Sequence, residues 1–131
     1  MKKLRDYQVE NATKGSEILK KFGIVYLSMQ VRTGKSVTAL DICRQMNAKK
    51  VLFITKKLAF KSIEEDYVDF GYSQSFDLTI INKESLHKLE NNEFDVLVVD
   101  EAHEYGAFPK SGKYQKLIKL RFSRVPMIYL S

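Results

Sequence analysis

Five short runs of apolar, β-favouring residues punctuate the chain at 24–28, 51–55, 76–82, 95–100 and 126–130, each bounded by charged or turn-forming residues. Val51-Leu52-Phe53-Ile54 and Val96-Leu97-Val98-Val99 are continuously apolar rather than alternating, the mark of strands covered on both faces. Pro126 opens the last run, at a position where a strand tolerates it. Between the runs the pattern changes to helical spacing. Leu4, Tyr7, Ala12, Ile18, Leu19 and Phe22 supply the apolar contacts of a first helix that Gly23 ends, with Gly15 as a candidate interruption. Residues 35–47 predict a second helix with Val37, Leu40, Ile42 and Cys43 turned towards a sheet. Residues 58–70 predict a third with Leu58, Ile63, Tyr67 and Phe70 inward and Gly71 closing it. A short helix is expected at 83–89. Tyr114, Leu117, Ile118 and Phe122 mark a last one, whose other side carries Lys110, Lys113, Lys116 and Lys119. Strands alternating with helices predict an α/β fold: a central, mainly parallel five-stranded sheet with helices on both faces and right-handed crossovers.

At 131 residues the chain reads as a single domain, 1–131. No apolar run reaches the length of a membrane span, and the basic start Met1-Lys2-Lys3-Leu4-Arg5 lacks the apolar stretch of a secretion signal. A soluble protein with no membrane partner is expected, in the cytoplasm or, for a viral chain, an intracellular host compartment. Cys43, the only cysteine, fits a reducing compartment and reads as a small core residue. His87 has no second His or Cys at metal spacing and reads as a surface residue. The net charge of +6 suits a phosphate-rich partner without establishing one.

Two stretches carry chemistry. In Val25-Tyr26-Leu27-Ser28-Met29-Gln30-Val31-Arg32-Thr33-Gly34-Lys35-Ser36 an apolar run breaks into Thr-Gly-Lys-Ser and then into a helical pattern. A strand would deliver the chain to a turn, and the next helix would aim its first N–H groups and positive dipole end at an anion. Arg32, Thr33, Gly34, Lys35 and Ser36 are the candidate phosphate-binding residues: Lys35 reaching the β- and γ-phosphates of ATP, the Ser36 hydroxyl ligating Mg²⁺. Met29 and Arg32 stand where a fuller phosphate-loop pattern has glycine. The second stretch, 93–103, is a run of β-formers ending in Asp100-Glu101. Functional groups of a parallel sheet collect at the carboxyl ends of its strands, so these carboxylates should arrive beside the loop. Asp100 would hold Mg²⁺ through water, and Glu101 would orient and deprotonate an attacking water.

Asp100-Glu101-Ala102-His103 spells the DEAH box, and with Thr33-Gly34-Lys35-Ser36 upstream the chain resembles the first RecA-like domain of a superfamily 2 helicase or translocase, in its phage-helicase or chromatin-remodeller-like branch. The resemblance covers nearly the whole chain. It implies a P-loop NTPase (RecA-like) three-layer sandwich, with the terminal strand between the phosphate-loop strand and the DEAH strand. It implies that Gln8 reads the adenine edge and that His103 relays nucleotide state. Lys56 and Lys57 occupy the place of motif Ia, which grips the nucleic-acid backbone, although Lys56 stands where that motif usually has proline. Ile-Asn-Lys-Glu-Ser-Leu at 81–86 resembles a segment placed against a DNA strand, and Ser131 would be the first residue of motif III.

The resemblance therefore implies ATP and Mg²⁺ as cofactors, nucleic acid as partner with DNA favoured over RNA, and a second RecA-like domain or partner chain that supplies the arginines stabilising the transition state. One lobe alone should bind nucleotide and be nearly inert as a hydrolase. A rival reading is a stand-alone nucleic-acid-binding or regulatory module with a vestigial ATP site, which the missing glycines favour and the intact Lys35, Ser36, Asp100 and Glu101 oppose. A small-molecule kinase is disfavoured because no lid segment is recognisable.

Overall fold

A computed structural model describes residues 2–27, 34–90, 93–100, 116–118 and 120–130. Among the described residues five strands form one sheet: β1 (Ile24–Leu27), β2 (Lys50–Ile54), β3 (Asp77–Ile81), β4 (Val96–Val99) and β5 (Met127–Leu130). Their order is β1-β5-β4-β2-β3, and every described pairing is parallel. The terminal strand thus lies between β1 and β4, as the resemblance implied. The mainly parallel five-stranded sheet expected from the sequence is present, and among the described residues it is parallel throughout.

Alternation sorts the strand residues onto two faces. Val25, Leu27, Val51, Phe53, Val96, Val98, Ile128 and Leu130 join one core with residues of the helices α1 (Asp6–Phe22), α2 (Lys35–Gln45) and α3 (Phe60–Asp69). Leu52, Ile54, Leu97, Val99, Met127 and Tyr129 join a second core with Leu86, Ile118 and Phe122. Two cores flanking one sheet make the three layers and explain the continuously apolar strands. At the amino ends of the strands, Asp95 Oδ2 accepts the N–H groups of Lys49 (2.7 Å) and Lys50 (3.0 Å), which pins β2 against β4.

Several helical details differ from the sequence reading. Helix α1 runs unbroken through Gly15, which is buried against α2: a Cβ there would lie 2.6 Å from Ile42 Cδ1. Its inward face is Ala12, Gly15, Ser16 and Leu19, whereas Tyr7, Ile18 and Phe22 remain exposed. Small residues at that face let α1 approach α2 closely, and the larger apolar residues fall on its flanks. Leu58 is 89% exposed. It belongs to a 3₁₀ turn (Lys57–Ala59) ahead of α3, and even on a continuous helix it would lie about 140° from Ile63. Ile63 is buried, while Tyr67 and Phe70 are partly buried, and Gly71 ends the segment at φ 79°. The expected helix at 83–89 is a 3₁₀ helix, Lys83–Lys88, with Leu86 inward and His87 exposed. In the last amphipathic segment, residues 116–118 and 120–121 are helical, with Ile118 and Phe122 buried and Leu117 half exposed. Arg121 fastens this segment to the 3₁₀ helix by donating to the carbonyls of Leu86 (2.5 Å) and Leu89 (2.8 Å). Lys110, Lys113, Tyr114 and Lys119 lie outside the described residues.

Candidate functional site

Because the strands are parallel, the carboxyl ends of β1 and β4 share one edge of the sheet, two strand spacings or about 10 Å apart. From β1 the chain leads to Gly34, which caps α2 in the left-handed region at φ 78°, ψ 39°. Thr38 closes the first turn: its N–H and its hydroxyl both donate to the Gly34 carbonyl, each at 2.9 Å. Lys35 and Ser36 are the first two residues of the 11-residue helix α2, both partly exposed, at the end where a helix presents its N–H groups.

Gln8 meets this turn from α1. Its Oε1 accepts the Arg5 N–H at 2.9 Å, and its Nε2 lies so close to Gly34 that a Cβ on Gly34 would collide with it. One side chain thereby packs the first turn of α1 closely against the start of α2. Gly34 is required twice, for its positive φ and for the room it leaves to Gln8.

Asp100 follows the last residue of β4. Its N–H donates to the Ile54 carbonyl at 2.8 Å, which extends the ladder one step beyond the Ile54↔Val99 pair. By alternation it falls on the face that carries α1 and α2, and the residue is 6% exposed. A carboxylate so withdrawn from water needs hydrogen-bond donors. One is the Thr55 hydroxyl, which donates to Oδ2 at 2.9 Å from the corresponding position at the end of β2. Sequence reasoning missed Thr55. It precedes Asp100 by 45 positions, and only the sheet order reveals that they are neighbours.

A second polar cluster, built around the buried Asp41, was also not anticipated. Asp41, on α2, accepts from Tyr72 (3.0 Å), from Gln45 (2.9 Å) and from both Arg44 Nε (2.9 Å) and Arg44 Nη2 (3.3 Å). Gln45 in turn accepts from Ser16 at 3.1 Å. The cluster joins α1, α2 and the turn after α3 and so fixes the helix that carries Lys35 and Ser36. The bond from Asp41 holds the Arg44 guanidinium above its ordinary pKa. Burial first, then the neighbouring Asp41 charge, pushes the Tyr72 phenol well above its ordinary pKa. Cys43 is buried, and burial pushes its thiol upward too, which makes it an unreactive core residue.

Gly34, Lys35, Ser36, Gln8 and Asp100 therefore gather at one edge of the sheet. Lys56 and Lys57 stand on that edge as well, exposed, immediately after β2 and Thr55. Arg32, Thr33, Glu101 and His103 lie outside the described residues, as does Ser131. Among the described residues no group of three or more His, Cys, Asp or Glu could cage a metal ion. A buried carboxylate at the sheet edge where a helix begins Lys-Ser is a donor set suited to Mg²⁺, which is commonly held by one or two carboxylates together with substrate phosphates. No described helix is long and apolar enough to cross a membrane.

No protein-family model and no curated protein matches this sequence. Solved structures do. The SWI2/SNF2 ATPase core of Sulfolobus solfataricus in complex with double-stranded DNA is similar with a TM-score of 0.77 and 17% identity, over 99% of this chain and 32% of that one. A nuclease-deletion mutant of the Type ISP restriction-modification enzyme LlaGI in complex with a DNA substrate mimic is similar with a TM-score of 0.72 and 18% identity, over 99% of this chain and 17% of that one. This chain thus spans about a third of one structure and a sixth of the other. The likeness shows the fold: a RecA-like α/β domain built on a parallel five-stranded sheet.

Proposed function

We propose that this chain is the ATP-binding lobe of a nucleic-acid-dependent ATPase of the helicase or translocase kind. The observation that carries this reading is the gathering of the α2 start and the buried Asp100 carboxylate at one edge of a RecA-like sheet. Lys35 and the first N–H groups of α2 bind the phosphates, with Arg32, Thr33 and Gly34 completing the cradle. Ser36 and Asp100 hold Mg²⁺, which when bound screens the negative charge that develops on the phosphates. Glu101 orients and deprotonates the attacking water, Gln8 faces the base, and His103 relays nucleotide state to bound nucleic acid or a second lobe.

Lys56 and Lys57 contact the nucleic-acid backbone. DNA is favoured over RNA, since both similar structures were solved with DNA or a mimic of it. An arginine supplied by a second RecA-like domain or a partner chain can contribute orders of magnitude to the rate. The short span of this chain within the similar structures supports an incomplete site. The chain alone should therefore bind Mg-ATP and turn it over at close to background.

ATP turnover with and without single- and double-stranded DNA and RNA, beside a Glu101→Gln control, tests this. Nucleotide binding without appreciable turnover is expected. Turnover that rises with nucleic acid and vanishes in the control would contradict the need for a second lobe. Binding of nucleic acid without any binding of nucleotide would instead favour the regulatory-module reading.

A further inference from the structure

We propose that Thr55 is a positioning residue for the metal-binding carboxylate: its hydroxyl holds the Asp100 side chain in the orientation that meets Mg²⁺. This deepens, and rests on, the nucleotide-site reading above. Three observations carry it. The hydroxyl donates to Asp100 Oδ2 at 2.9 Å, and both residues are almost wholly withdrawn from water, at 1% and 6% exposure. Both backbones are fixed beyond the ends of their strands: Thr55 N–H donates to the Ile81 carbonyl at 2.9 Å and Asp100 N–H to the Ile54 carbonyl at 2.8 Å. Finally, a β-branched side chain has few rotamers open to it, so the donor is stiff as well as buried.

A carboxylate turns about its last bond over a broad range. A donor anchored on the neighbouring strand removes that freedom, because one oxygen is engaged and the plane of the group is set. Partners that orient a ligand in this way commonly change metal affinity by about 10- to 100-fold when they are removed. Valine reproduces the shape of threonine and lacks the donor, whereas serine keeps the donor and lacks only a methyl group.

The test titrates the intact chain with a fluorescent ADP in excess Mg²⁺ and again in EDTA. The wild-type chain should bind more tightly with Mg²⁺. Thr55→Val should keep the EDTA affinity and lose roughly tenfold of the Mg²⁺-dependent gain, and Thr55→Ser should restore that gain. A purely structural Thr55 would instead lower the melting temperature and both affinities together, and that result would overturn the proposal. Should Thr55→Val fail to fold, Thr55→Ala removes the same hydroxyl with less bulk and carries the same expectation. A folded hydroxyl-less variant with the full Mg²⁺ gain would overturn the proposal while leaving the nucleotide site intact, as would a wild-type chain that binds ADP equally with and without Mg²⁺. A wild-type chain that binds no nucleotide under either condition would overturn the site reading itself, and this proposal with it.

Discussion

Gly34 sits under two constraints that a single substitution can separate. Alanine there must hold a left-handed backbone, at about 1–2 kcal/mol, and must also displace Gln8. Gly34→Ala should therefore cost more in the native background than in Gln8→Ala, where only the backbone term remains. A urea-denaturation double-mutant cycle reads the difference, and strict additivity would show that the two side chains do not compete for space. Tyr72 offers a second test at this scale. Tyr72→Phe removes a donor to buried Asp41 and should cost about 1–3 kcal/mol. The buried phenol beside Asp41 also has a pH signature. The folded state raises the phenol pKa, so the associated stability is intact below the ordinary value of 10.0 and is lost as pH rises beyond it. Alkaline unfolding should be less steep in Tyr72→Phe, and an unchanged slope would contradict this.

At the scale of elements, the inner strands were legible because a parallel sheet buried on both sides demands continuous apolar runs, and 51–54, 96–99 and 127–130 supply them. Helix faces were less legible. A list of apolar residues does not by itself say which face is inward, and α1 turns Ala12, Gly15, Ser16 and Leu19 to the core while Ile18 and Phe22 stay exposed. Gly15→Ala weighs a helix-propensity gain of about 1 kcal/mol against overpacking of about 1–3 kcal/mol on Ile42, which is fully buried and has little room to move. The net expectation is destabilisation, measured as a lower urea midpoint; a higher one would mean that Ile42 relaxes freely. Around α3 the contrast is sharper. Leu58→Ser should change stability by less than about 0.5 kcal/mol, because the side chain is exposed. Ile63→Ala should cost about 2–5 kcal/mol, because that side chain is buried in the core.

At the scale of the whole molecule, sequence motifs proposed much of the candidate site, and topology accounts for how its described residues lie at one edge of the sheet. Thr-Gly-Lys-Ser and Asp-Glu-Ala-His could be seen because they are contiguous. Thr55 and the Asp41 cluster could not, because Thr55 and Asp100 are 45 positions apart and Asp41 and Tyr72 are 31 apart, and no contiguous motif joins either pair. The sheet order β1-β5-β4-β2-β3 closes the first separation, and packing of α2 against the turn after α3 closes the second. It also sets β2, with the exposed Lys56 and Lys57 at its end, beside the strand that carries Asp100, so the proposed nucleic-acid contact and the proposed metal ligand share adjoining strand ends.

The central claim is that the start of α2 binds the phosphates of a nucleotide, and calorimetric titration of the intact chain with Mg-ATP, beside Lys35→Ala, tests it most directly. Loss of a charge-assisted phosphate contact is worth about 1.5–3 kcal/mol, so the variant should bind roughly 10- to 100-fold more weakly while keeping the wild-type melting temperature in the absence of nucleotide. Equal affinity in the two proteins, or no binding by the wild-type chain, would contradict the account.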